Sequence, residues 1–141
     1  MNHSLMTYIT GVAHIGIAVP DIFTAAEQYR LLGYESLTPE IIFEHNHGVQ
    51  AYMMENNGFV IELLAPLEEG IESPVDNYIT KKPYTIYHIA YYTSDLEAQI
   101  NLLKANRFIM TGKPGESALQ KGKRAVFLAN RKMGVIELIE E

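Results

Sequence analysis

Cysteine and tryptophan are both absent from this chain, and no apolar run approaches the length of a membrane span. Without cysteine there can be no disulfide, no thiol nucleophile and no thiolate metal ligand. The opening segment "MNHSLMTYIT" has no basic stretch followed by an apolar one, so it does not have the pattern of a secretory signal. These absences predict a cytoplasmic protein that does not bind a membrane.

Positive charge is also scarce. The 141 residues carry 11 lysine and arginine side chains against 17 aspartate and glutamate side chains, and the formal net charge is −6. Nucleic-acid binding needs a basic surface, because contacts to phosphate supply much of the affinity. The charge balance therefore excludes a general nucleic-acid binder, while a hydrophobic content of 48% is ordinary for a globular domain.

An internal repeat is the main feature that the chain does contain. The stretch "AHIGIAVPDIFT" near the start is matched by "YHIAYYTSDLEA" in the second half, with His14 and His88 74 positions apart. The first half closes on "VIELLA" and the second on "VIELIE", which places Glu62 and Glu137 75 positions apart. Self-similarity at a fixed period indicates that one structural unit occurs twice.

Each half has the pattern of one strand, one helix and three further strands. We therefore predict an α+β fold of two tandem βαβββ modules, at about residues 11–65 and 84–140, joined by a connection at 66–83. The pair Asn57-Gly58 predicts a tight hairpin between the last two strands of the first module. Because neither module can cover both faces of its own sheet, the two are expected to pack together as one domain.

Both predicted helices follow an aspartate of the repeat. Apolar spacing predicts helices over 22–32 and 95–106. Asp21 is the expected N-cap of the first helix, and Ser94 or Asp95 that of the second, because these short polar side chains accept hydrogen bonds from the first free N–H groups of a helix.

Alternation along the strands puts one imidazole and one carboxylate into apolar surroundings in each half. A single histidine or glutamate of this kind is usually a hydrogen-bonded core residue or lies at a rim. The repeat favours another interpretation, because it places the pair His14 and Glu62 and the pair His88 and Glu137 at equivalent positions. Two imidazoles and two carboxylates brought together would bind one divalent ion, with Zn, Ni, Co, Mn and Fe all suited to nitrogen and oxygen ligands.

The repeat resembles a known family. The segments "HIGIAVPDI", "HGV", "IELLAPLEEGIESPVDNYI", "YHIAYYTSDLEA", "AVFL" and "GVIELIE" are similar, in order and spacing, to the vicinal oxygen chelate superfamily of glyoxalase I and the bleomycin-resistance proteins, and most of all to its methylmalonyl-CoA epimerase branch. The resemblance implies a curved eight-stranded sheet that cups a metal bound by His14, Glu62, His88 and Glu137. It also implies a homodimer.

The function that this resemblance implies is a metal-dependent isomerase or lyase. It would act through a metal-stabilised enolate on a carbonyl or thioester substrate, such as a CoA or glutathione thioester, with Glu137 as a catalytic base. One alternative is a glyoxalase I-like lactoylglutathione lyase. A metal-free, resistance-type binding module and a ring-cleaving dioxygenase are further alternatives, and the complete four-residue set argues against both.

The sequence departs from the epimerase pattern at one position. Two residues before the Gly of "HGV", where the epimerases carry a glutamate that acts as a proton-transfer base, this chain has Asn46. An amide does not accept protons near neutral pH, so we expect methylmalonyl-CoA epimerisation to be weak or absent and another substrate to be handled by a one-base route. The competing hypothesis is that Glu44 replaces the missing base, if the strand continues so that both residues share a face.

Basic side chains are concentrated in the second half of the chain. They form either a solvated loop or a rim that holds the phosphates of CoA or another anionic tail. The residues concerned are Lys113, Lys121, Lys123, Arg124, Arg131 and Lys132.

Overall fold

The computed structural model describes residues 6–44, 48–67, 73–76, 81–117 and 121–141. Within them lie two helices, α1 (Ile22–Leu31) and α2 (Leu96–Ala105). The strands are β1 (Ile9–Ala18), β2 (Glu35–Ser36), β3 (Ile42–Glu44), β4 (Val49–Asn56), β5 (Phe59–Pro66), β6 (Ile86–Thr93), β7 (Ile109–Met110), β8 (Gly115–Glu116), β9 (Arg124–Asn130) and β10 (Gly134–Glu140).

The α+β fold with a repeated strand and helix order is confirmed. The described residues contain ten strands rather than the expected eight, because the second strand of each module is divided into two short pieces. A proline lies between the pieces in both halves, Pro39 between β2 and β3 and Pro114 between β7 and β8. Proline has no N–H to donate to a neighbouring strand, so the ladder is interrupted there.

The chain divides into two compact units. The central unit is His14–Ile89, and the terminal unit combines Met1–Ala13 with Ala90–Glu141. Strands β1 and β6 each have residues in both units. The single domain of two modules stays a prediction.

Strand pairing in the central unit follows the order β2, β4, β5, β1, β6, and β3 also pairs with β4. The β4–β5 hairpin turns at Asn57 and Gly58, which have φ values of 50° and 88°. Two positive φ values are what a two-residue type I′ turn requires, so the predicted hairpin is confirmed. Strand β1 runs parallel to β5, with Gly16 opposite Glu62.

The two faces of the central sheet have different coverings. One face packs against α1, in a core of Ile17, Val19, Ile22, Ala25, Ala26, Tyr52, Met54, Ile61, Leu63 and Ala65. The other face has a smaller apolar cluster of Ala18, Val49, Ala51, Leu64 and Val75. Alternation along β1 and β5 puts His14 and Glu62 on this second face, away from α1.

The terminal unit has the strand order β6, β10, β9, β7, and β8 also pairs with β9. Its core lies between α2 and one face of these strands and contains Leu96, Ile100, Phe108, Val126, Leu128, Ile136 and Leu138. Strand β10 contributes Ile136 and Leu138 to this core. The residue between them, Glu137, therefore lies on the face of β10 away from α2.

Both helices are capped at their N-termini by residues that the sequence predicts. The Asp21 side chain accepts a hydrogen bond from the Phe23 backbone N–H, and of the two candidates for the second cap it is Asp95 that accepts one, from Ala98 N–H. Each helix is 10 residues long. In the part of the chain that the structure describes, neither helix has the length and apolar character needed to cross a bilayer.

The helices also end in the same way. The N–H of Tyr34 donates to the carbonyl of Tyr29, and 74 positions later the N–H of Phe108 donates to the carbonyl of Leu103. These bonds close a Schellman motif, whose penultimate residue needs a left-handed backbone. Gly33 occupies that position in the first module with φ 92°, whereas Arg107 occupies it in the second with φ 71°.

Candidate metal centre

Three of the four predicted ligands converge within the central unit. His14 lies on β1, Glu62 on β5 and His88 on β6, and these strands are adjacent in the order β5, β1, β6. Glu62 lies opposite Gly16, two residues beyond His14 on the same face of β1. The pairing of the strands thus brings together side chains that are distant in sequence.

The ligand atoms of these three residues lie at nearly equal distances. The Nε2 atoms of His14 and His88 are 3.2 Å apart. Glu62 Oε1 lies 3.3 Å from Nε2 of His14 and 3.4 Å from Nε2 of His88. All three side chains are buried, with 4%, 4% and 1% of His14, Glu62 and His88 exposed.

This geometry fits a small divalent ion. Three ligand atoms placed about 2.0–2.1 Å from one ion in tetrahedral directions are separated by about 3.3–3.4 Å, close to the three distances measured here. Hydrogen bonding explains the arrangement less completely. Each Nε2 carries at most one hydrogen, so at most two of the three contacts can be hydrogen bonds at once.

The His88 ring occupies the place where a side chain at Gly16 would lie. A Cβ atom built on Gly16 would be 2.8 Å from Nε2 of His88 and closer still to Nδ1 and Cε1. The ring also makes edge contacts with His14 and Tyr87, with centroids 5.3 and 5.4 Å away. Alternation along β1 puts Gly16 on the same face as His14, but the sequence alone predicted no role for it. The available signal was a glycine in the interior of a strand, which often marks a close approach.

The fourth predicted ligand, Glu137, belongs to the terminal unit. Its side chain lies on the face of β10 away from α2, as that of Glu62 lies on the face of β5 away from α1. It is buried, with 8% exposed. Its role as a ligand and as a base stays a prediction.

Glu44, the residue that could replace the base missing at Asn46, is described by the structure. Glu44 ends β3 and lies opposite Val49 on β4, and Met53 of β4 lies opposite Glu62. Directly opposed residues of antiparallel strands share a face, and so do residues four apart in one strand. Glu44 therefore lies on the same face of the central sheet as Glu62. Asn46, the other candidate, lies outside the described residues.

Two of the basic residues in the second half have partners within the terminal unit. The Arg124 guanidinium contacts Glu140 at 3.0 Å and Glu97 at 2.9 Å. Its hydrogen bonds to Glu140 hold the pKa of that carboxyl below its usual range and raise the pKa of the arginine. Lys123 Nζ donates to the Glu141 carbonyl at 2.6 Å. An Arg124 that is already paired is a poor candidate for holding an anionic tail.

Residues 13–127 match the model of the glyoxalase/bleomycin resistance protein/dioxygenase superfamily. An ethylmalonyl-CoA/methylmalonyl-CoA epimerase of Cereibacter sphaeroides is 40% identical over 119 residues, which cover 82% of this chain and 84% of the relative. The resemblance inferred from the repeated motifs is confirmed by these matches.

Solved structures agree with the sequence comparison. The methylmalonyl-CoA epimerase of Mycobacterium tuberculosis superposes with a TM-score of 0.79 at 26% identity, covering 98% of this chain and 93% of that one. A methylmalonyl-CoA epimerase in complex with methylmalonyl-CoA and NH4+ also gives a TM-score of 0.79, at 25% identity, covering 94% and 95% of the two chains. The chain belongs to the glyoxalase/bleomycin resistance protein/dioxygenase superfamily.

Proposed function

We propose that the protein is a metal-dependent epimerase of 2-alkylmalonyl-CoA thioesters. The observation that carries the proposal is the convergence of His14 Nε2, Glu62 Oε1 and His88 Nε2 in a buried site. The substrate class is supported by the 40% identity to an ethylmalonyl-CoA/methylmalonyl-CoA epimerase and by the likeness to an epimerase bound to methylmalonyl-CoA.

His14, Glu62 and His88 would hold the ion, with Glu137 as a fourth ligand. Two carboxylates and two neutral imidazoles neutralise a dication, which suits the burial of all four side chains. When bound, the ion supplies Lewis-acid polarisation of the thioester carbonyl, which lowers the barrier to losing the neighbouring proton. Zn, Ni, Co, Mn and Fe all suit this ligand set, and none is preferred.

Epimerisation needs a proton to leave one face of the α-carbon and another to arrive at the opposite face. One carboxylate accepts the proton as the C–H bond breaks, and the electron pair moves toward the thioester carbonyl. A second carboxylic acid then donates its proton to the other face of the same carbon, which inverts the centre without net gain or loss of atoms. We assign these roles to Glu44 and Glu137.

Two observations favour Glu44 over the one-base route expected from Asn46. Glu44 shares the sheet face of Glu62 in the central unit. The relative with 40% identity is named an epimerase. Epimerisation needs one proton-transfer group on each face of the α-carbon. Asn46 would then hydrogen-bond the substrate and transfer no proton.

The test is α-proton exchange in deuterated water. Protein stripped of metal and protein reloaded with each candidate metal are compared on ethylmalonyl-CoA and methylmalonyl-CoA, and exchange and inversion are followed separately. We expect both to depend on the metal. Glu44→Gln should slow inversion about 10²–10⁴-fold, the range for loss of a general base. The matched control is Glu40→Gln, an exposed glutamate four residues earlier, which should have no effect.

Other outcomes point to other members of the superfamily. Metal-dependent isomerisation of a glutathione hemithioacetal, with no exchange on either CoA thioester, would replace the epimerase by a lactoylglutathione lyase. Exchange without inversion, unchanged in Glu44→Gln, would establish the one-base route. Absence of metal-dependent turnover on all of these substrates would favour the binding module.

A further inference from the structure

The lack of a side chain at Gly16 bears directly on the candidate metal centre. We propose that Gly16 is a positioning residue, which leaves the space that the His88 imidazole needs in order to direct Nε2 at the common point of His14 and Glu62. The inference rests on the metal centre of the proposed function and concerns how that centre is built.

Backbone conformation does not explain why position 16 is a glycine. Gly16 is not among the residues with positive φ, so its backbone is that of an ordinary strand, which any residue can adopt. Glycine in a strand interior weakens the strand, because it adds no packing and loses more chain entropy on folding. Alanine stands at the matching position of the second module, Ala90, 74 residues later. The repeat therefore accepts a Cβ atom in one copy.

Space does explain the glycine. A Cβ atom on Gly16 would meet three atoms of the His88 ring, and the 2.8 Å to Nε2 is the longest of the three separations. The ring has little room to turn away, since His88 is 1% exposed and its ring contacts the rings of both His14 and Tyr87. An alanine at position 16 would force the imidazole to move and would take Nε2 from the point where the three ligand atoms meet.

The test compares Gly16→Ala with Gly11→Ala. Both change a glycine of β1, but a Cβ atom on Gly11 would meet nothing within 4 Å. The readout is the dissociation constant of Zn²⁺ or Co²⁺, measured by titration of metal-free protein. We expect Gly16→Ala to weaken binding about 10–100-fold, the range for changes that misalign a ligand. Gly11→Ala should bind within about twofold of wild type. Equal affinities of Gly16→Ala and wild type would overturn the proposal.

A double-substitution cycle keeps the proposal testable if Gly16→Ala folds poorly or if the wild type binds no metal. In the His88→Ala background the ring is gone, so Gly16→Ala should no longer reduce the midpoint of thermal unfolding. If Gly16→Ala destabilises the protein equally with and without the His88 ring, the glycine serves another purpose and the inference is wrong. If the wild type binds no metal but the effects of Gly16→Ala and His88→Ala on thermal unfolding are coupled, the metal centre is refuted. The role of Gly16 in making room for the His88 ring then still stands.

Discussion

The Nε2 atoms of His14 and His88 lie 3.2 Å apart, although the residues are separated by 74 positions in the chain. The repeat places one histidine in the first strand of each module, and these two equivalent histidines are in direct contact. Glu62 lies within 3.4 Å of both Nε2 atoms. Two imidazoles that meet a carboxylate in a buried site are suited to bind one cation together.

We predict that His14 and His88 are each required for metal binding. His14→Ala or His88→Ala removes one of three converging ligand atoms, and the stoichiometry of about one ion per chain should fall well below one in each variant. Binding should also raise the midpoint of thermal unfolding of the wild type, since an ion at 100 times its Kd contributes about 2.7 kcal/mol. The measurement is elemental analysis of protein purified without a metal-affinity tag.

A histidine outside the repeat is the control for this comparison. His3→Ala should leave the metal content unchanged. Full metal content in both His14→Ala and His88→Ala would show that the ion binds elsewhere.

We predict that Glu62→Gln retains metal better than Glu62→Ala does. The amide still offers an oxygen to the site but not the negative charge, whereas alanine offers neither. We expect metal affinity to rank wild type, Glu62→Gln, Glu62→Ala, with at least about tenfold, or 1.4 kcal/mol, between the first and the last. Glu35→Gln, an exposed carboxylate of β2, should bind as the wild type does. Tighter binding by Glu62→Ala than by Glu62→Gln would exclude this oxygen as a ligand.

Much of this site could be predicted because duplication makes the sequence its own comparison. The matched pairs His14 with His88 and Glu62 with Glu137 identified candidate ligands without any distance. The role of Gly16 could not be found by comparing the two halves of the sequence, because it depends on how β1 and β6 lie next to each other in the sheet. A glycine and an alanine at matched positions look like a neutral difference until the His88 ring is in place.

The order of helices and strands was also predictable, and the structure differs from that prediction only locally. Helix starts follow from the short-range chemistry of Asp21 and Asp95, whose side chains bond to the next residues of the chain. The division of the second strand of each module depends on which N–H groups face a neighbouring strand. Pattern alone does not reveal that pairing, so Pro39 and Pro114 did not indicate two strands in place of one.

We predict that the ion pair between Glu140 and Arg124 adds stability that is lost in acid. Hydrogen bonds from the arginine hold the pKa of Glu140 below its usual range. The contribution is therefore complete above the usual carboxyl pKa and disappears as pH falls through the lowered value. Glu140→Gln should reduce the folding equilibrium constant by no more than about a factor of five near neutral pH, since both partners are accessible to solvent.

The check is denaturant unfolding of wild type and Glu140→Gln between about pH 7 and pH 2. The two unfolding free energies should converge at the acid end, and 1 M salt, chosen because the Debye length is then about 3 Å, should shrink the difference at pH 7. A difference that grows on acidification would contradict the assignment.

Arg107→Gly should stabilise the protein. Arg107 has φ 71° at the position where the first module has Gly33, and a long side chain with a Cβ atom is strained in that region whereas glycine is not. In the part of the chain that the structure describes, its side chain is exposed and makes no hydrogen bond or ion pair, so nothing is lost with it. Relief of about 1–2 kcal/mol of strain, less about 0.5–1 kcal/mol for the extra chain entropy of glycine, leaves an expected gain of about 0.5–1 kcal/mol. The midpoint of thermal unfolding should then shift upward by about 1–4 °C.

Arg107→Ala distinguishes relief of backbone strain from loss of the side chain, because it removes the side chain but keeps the strain. It should leave stability nearly unchanged. Gly33→Ala should lower stability by about 1 kcal/mol, since it puts the same strain into the first module. Equal stabilities of Arg107→Gly and Arg107→Ala would mean that the left-handed backbone at the end of α2 carries no strain.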